Sequence, residues 1–92
     1  MQTKILKVVA QTETVFVPSK KQESGQLAKC YIRLRELGGD YENEYVCAVL
    51  GNLAQCKCET GKMVVAALRF SSHEVNGAYY QDVIVSDIIP IN

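Results

Sequence analysis

Apolar and polar residues alternate along most of this chain, and the alternation marks out its elements. From Leu27 to Leu37, Cys30, Ile32 and Leu34 fall on one side, with Lys29, Tyr31, Arg33 and Arg35 on the other. That is the period of two expected of a half-buried β-strand. Lys62 to Ser72 repeats it, with Val64, Ala66, Leu68 and Phe70 opposed to Val65, Ala67, Arg69 and Ser71. Thr3 to Val17 is also β-like, but apolar on both faces: Leu6, Val8 and Ala10 on one, Ile5, Lys7 and Val9 on the other. A second covered face is expected there, and a partner subunit could cover it. Glu44 to Leu50 and Tyr79 to Ile89, rich in β-branched and aromatic residues, complete a set of five predicted strands.

The breaks between these runs are equally readable. Pro18 to Gln26 is a polar loop made locally basic by Lys20 and Lys21, and Gly38 to Asn43 is a turn with two adjacent glycines. Asn76-Gly77 is the strongest short hairpin signal, and Pro90 falls at the end of the last strand, where a missing N–H costs little. Between Gly51 and Gly61 lies a helix-compatible stretch of two turns at most, with Asn52 as its expected N-cap and Gly61 as its expected end. Five strands with one short helix between the third and fourth predict an all-β chain. The expected arrangement is a Greek-key barrel of the OB-fold type, forming one domain over residues 1–92.

Composition narrows the function classes. Hydrophobic residues make up 48% and charged residues 22% of the 92, which is globular composition. The formal net charge is 0, so any surface that binds a polyanion must be local. No secretory leader and no membrane-spanning run is visible, and the expectation is a cytoplasmic protein whose four cysteines are reduced. Cys30 and Cys47 read as small core residues. Cys56-Lys57-Cys58 could offer two thiolates to a metal, but a structural zinc site needs four ligands with paired spacing. No metal and no cofactor is expected. The chain carries no Ser/His/Asp set, phosphate loop or dinucleotide glycine motif, so no catalytic activity is expected either. Asp40, Glu42 and Glu44 read as an acidic, solvated turn that a nucleic-acid backbone would avoid.

From Glu44 onward a series of short motifs follows: Glu44-Tyr45, an apolar run, Gly51-Asn52-Leu53-Ala54, Gly61-Lys62, Leu68-Arg69, a hairpin and a tyrosine-rich last strand. In this the chain resembles the bacterial single-stranded DNA-binding proteins. In size it is similar to the small members that lack the family's tail, such as the primosomal replication proteins. The resemblance implies an OB-fold, binding of single strands by aromatic stacking, and a homodimer or homotetramer. The family stacks bases mainly on tryptophan, and this chain has none. Tyr45 keeps an aromatic at one usual position, and the aromatic of the hairpin arm falls near His73.

These readings converge on one candidate surface. A face that binds single strands needs cations to follow phosphates and rings to stack on bases. Lys29, Tyr31, Arg33 and Arg35 supply both, at about 6–7 Å between successive side chains. Tyr45, Arg69 and His73 are expected to join the same face from neighbouring strands, and Lys62 could add a phosphate contact. The expected function is sequence-tolerant binding of single-stranded DNA, or of RNA in the same manner, without catalysis and away from any membrane. The expected oligomer interface is Ile5, Lys7 and Val9. The alternative is an OB module that binds other proteins, or a structural subunit that no longer binds nucleic acid.

Overall fold

A computed structural model describes residues 2–21, 23, 25–39 and 41–91. The described chain is all-β, with six strands in one sheet: β1 (Gln2–Gln11), β2 (Val15–Pro18), β3 (Gln26–Glu36), β4 (Glu44–Leu50), β5 (Met63–Val75) and β6 (Ala78–Pro90). The strand order is β1-β5-β6-β4-β3-β2, and β1 also pairs with β3. The first half of β1, Gln2 to Lys7, is antiparallel to β5, and its second half, Leu6 to Gln11, is antiparallel to β3. The β4–β6 contact is the parallel one, through Ala48 and Ile84.

Six strands replace the five expected because the run from Thr3 to Val17 is interrupted. A register shift between Val8 and Ala10 bends β1, and residues 12–14 leave the regular ladder before β2 resumes along the same edge of β3. Side chains hold the break. Thr12 Oγ1 accepts the Tyr31 N–H at 2.9 Å, and Thr14 Oγ1 donates to the Ala54 carbonyl at 2.6 Å. The same shift overturns the expected facing of Ala10. It lies opposite Arg33 and is exposed, rather than buried with Leu6 and Val8.

The helix between β4 and β5 is also smaller than expected. It is a single 3-10 segment, Gly51–Gln55, whose N-cap position is Leu50 with no side-chain cap, so Asn52 does not cap it. It ends at Cys56, and Gly61 instead sits in the turn that opens β5, at φ +88°, donating its N–H to the Val8 carbonyl at 2.8 Å. Ala54 of this segment is fully buried, which fastens it to the core. At the far hairpin, Asn76 and Gly77 both have positive φ, 51° and 83°, as the expected two-residue turn requires. Val75 therefore pairs with Ala78, and β5 and β6 run on as a two-stranded arm with exposed residues on both faces.

The core is the inward row of each strand. Leu6 and Val8, Cys30, Ile32 and Leu34, Cys47 and Val49, Val64, Ala66 and Leu68, and Val85 meet there, and no polar side chain is buried among the described residues. Cys30 and Cys47 are buried free thiols, and burial pushes the Cys47 thiol up to about 11. Leu34 is inaccessible to solvent and lies midway along the strand that touches β1 and β4. Leu34→Ala is expected to cost about 2–5 kcal/mol, a large share of the roughly 5–15 kcal/mol available to such a domain. Urea unfolding of the two proteins measures this.

Candidate nucleic-acid interface

Cross-strand partners share a sheet face, so the register assigns each candidate a side. On β3 and β4 the outward pairs are Lys29 with Leu50, Tyr31 with Ala48, Arg33 with Val46 and Arg35 with Glu44. Ala48 in turn pairs with Ile84 of β6, and Ile84 with Arg69 of β5. A single line thus crosses four strands as Tyr31, Ala48, Ile84 and Arg69. At about 4.8 Å per strand, its ends are roughly 14 Å apart. Farther along the arm, Ser71 pairs with Asp82 and His73 with Tyr80 on the same face.

The middle of this face is a shallow groove of about 480 Å³. Its floor is Val46, Ala48, Leu50 and Ile84, with Lys29 and Tyr31 on one wall and Asp82 on the other. Tyr31 is 45% exposed, and the Lys29 ammonium lies 5.0 Å from its ring centre, a cation–π contact. At the far end the His73 imidazole stacks on Tyr80, with centroids 5.4 Å apart and planes 21° from parallel. His73 Nδ1 lies 3.1 Å from Asp82 Oδ2, which orients the ring.

The cations on the outward face of β3, β4, β6 and β5 are Lys29, Arg33, Arg35 and Arg69, and the carboxylates are Glu44, Asp82 and, past Arg69 opposite Ala67, Asp87. Glu44 was expected among solvated turn acids. It begins β4 and holds both arginines: Arg33 Nε donates to Oε1 at 2.6 Å, and Arg35 donates to Oε2 through Nε at 2.8 Å and through its terminal nitrogen at 2.6 Å. Of the other two acids of that turn, Glu42 is exposed and Asp40 lies outside the described residues.

Tyr45 is where the expected site is corrected. Alternation along β4 groups Tyr45 with the buried Cys47 and Val49 and sets it opposite Leu34, on the reverse side from Tyr31. Its ring meets Phe70 edge-on at 6.0 Å, and its hydroxyl donates to Glu36. It closes one end of the core and does not share a face with the Lys29 row. Lys62 is also elsewhere, beside Lys57, Cys58 and Glu59 near the start of β5. The residue missed from sequence is Tyr80. The Asn76-Gly77 turn could have found it, since a two-residue loop pairs residue 75 with 78 and hence 73 with 80.

No group of three or more His, Cys, Asp or Glu residues is placed to hold a metal among the described residues, and no described helix is long and apolar enough to cross a membrane. The chain matches no family model and no curated protein.

The carboxylates make a pH prediction. The Tyr45 hydroxyl, with help from Lys4, holds the Glu36 carboxyl below its ordinary range, and Arg35 and then Arg33 do the same for Glu44. A carboxyl lowered by folding contributes stability above its unfolded value, about 4.3 for Glu, and loses it as pH falls through the folded value. The melting temperature is expected to drop between about pH 5 and pH 3. Glu36→Gln and Glu44→Gln should each flatten that drop in a pH series of thermal melts.

Proposed function

We propose that this protein is a small OB-type barrel that binds single-stranded DNA across the outward face of β3, β4, β6 and β5. The β1–β3 pairing beside β1–β5, and the parallel β4–β6 contact, support the barrel. The observation that carries the function is the groove itself. An apolar floor lies between two exposed aromatic platforms, Tyr31 at one end and the His73–Tyr80 stack at the other, with Lys29 and Arg33 beside the first. Unstacked bases present flat apolar faces and their backbone presents phosphates, so a single strand matches both parts of this surface. A duplex keeps its bases stacked inward and offers only the phosphates. Every base has a flat face to stack, so binding led by the rings is sequence-tolerant.

The partner copy belongs to a different stretch of the outer surface, farther along β5 and β6 from the groove. Ile5, Val65 and Ile89 form a cross-strand row over β1, β5 and β6, with Met63 alongside, and Ile5 and Ile89 are more than half exposed. An apolar sheet face of this kind supports a homodimer built on β1, with Ile5 and Lys7 at its edge and Val9 half-buried at the bend.

A labelled oligo-dT titration tests the function. Binding is expected at low salt and should weaken steeply as salt rises. Tyr31→Ala and Tyr80→Ala should each cost about 1–3 kcal/mol, the worth of one stacked base. Absence of binding at micromolar protein in low salt would overturn the reading, and equal affinity for oligo-U would widen the ligand to RNA. Light scattering on the eluting protein tests the dimer: Ile89→Asp is expected to yield monomers, and a monomeric wild type would refute the interface.

A further inference from the structure

The two guanidinium groups best placed for phosphate on this face are already occupied by a carboxylate of the chain itself. Glu44 offers one oxygen to Arg33 and the other to Arg35, at 2.6–2.8 Å. A phosphodiester also presents two unesterified oxygens, and arginine binds carboxylate and phosphate through the same planar set of donors. The Glu44 side chain is only 24% exposed, while Arg33, diagonal to it on β3, is about half exposed, so the carboxylate is seated and the arginine reaches outward.

We infer that Glu44 is an internal competitor for phosphate, which sets the affinity of the single-strand face by holding Arg33 and Arg35 until a backbone phosphate displaces it. The inference rests on the proposed function and adds a residue that lowers binding. Entry of a phosphate exchanges one charge-assisted contact for another of the same kind, so the arginines contribute little net affinity while Glu44 is charged. The displaced carboxylate stays on the neighbouring strand, at a distance where like charges still repel. A ligand that brings phosphates alone therefore gains little. One that also stacks bases on Tyr31 and Tyr80 recovers the cost, which favours unpaired strands over other polyanions.

The test is oligo-dT titration of wild type, Glu44→Gln and Glu44→Ala over a salt series, with thermal melts to confirm that each variant is folded. Both variants are expected to bind more tightly. The plot of log affinity against log salt should steepen by about 0.7–1.4, the change for one or two added phosphate contacts on a single strand. In an Arg33→Ala background the gain from Glu44→Gln should shrink, which identifies the arginine as the group released. Glu59→Gln removes the same charge from the 56–62 segment and is expected to change little. Binding by Glu44→Gln alone, with none by wild type, would overturn the proposed function of the native chain and the inference with it. If wild type binds and Glu44→Gln matches it in affinity and slope, or if Glu59→Gln gives an equal gain, the inference falls and the proposed face stands. If neither wild type nor the Glu44 variants bind, the proposed function falls and the inference with it.

Discussion

Strand β3 carries the structure because it meets neighbours on both edges while its side chains separate cleanly by face. Cys30, Ile32 and Leu34 fill the core, and their backbone groups pair with β4 along one edge and with β1 and β2 along the other. A slip of one residue on either edge would turn this row outward and bring Tyr31, Arg33 and Arg35 inside. Burying two guanidinium groups in an apolar core costs far more than any local preference could offset, so the register is held from both faces at once. The same alternation that secures the core therefore also presents the cations and the ring that form one side of the groove.

That constraint explains which parts of the molecule were legible in its sequence. β3 and the inner half of β5 alternate, so their faces could be read directly. Glu44 to Leu50 could not be read in this way: Tyr45, Val46, Cys47, Ala48 and Val49 are apolar at successive positions, and only pairing with β3 decides that Tyr45 turns inward and Val46 outward. The aromatic assigned to the binding face was thus the wrong one of the strand's two sides. The interruption of the first strand was hidden for a different reason. Val8, Val9 and Ala10 look like continuous strand, and the bend comes from long-range partners, Tyr31 and Ala54, that lie 19 and 40 residues from the threonines they bind. The hairpin was legible throughout, because Asn76-Gly77 sets both the turn and the pairing of His73 with Tyr80 beyond it.

Charge is distributed with the same economy. The chain is neutral overall, yet the outward face of β3, β4, β6 and β5 gathers four cations against three carboxylates, two of which are tied to a partner, Glu44 to guanidinium groups and Asp82 to the His73 ring. Farther along the same outward side of β5, the stretch over β1, β5 and β6 that carries Ile5, Val65 and Ile89 is mainly apolar. One continuous sheet thus has two outward surfaces of different chemistry, and β6 contributes to both: Ile84 and Tyr80 to the groove, Ile89 to the apolar row. The register shift between Ala67 and Leu68 in the β5–β6 ladder lies between those two stretches and sharpens the local twist, which helps aim them in different directions.

The absence of tryptophan bears on how such a groove could work. A tyrosine ring offers less stacking area than an indole, so a single Tyr platform holds a base more weakly. Here the shortfall is met by pairing rings with other groups. Lys29 lies over Tyr31, and His73, oriented by Asp82, lies over Tyr80. Each tyrosine is half exposed and has a partner from its own sheet against its ring, which limits its rotation and, under the proposed function, reduces the entropy lost on binding. Under the proposed function, preorganised rings, an apolar floor and arginines restrained by Glu44 favour a ligand that brings both bases and phosphates over one that brings either alone.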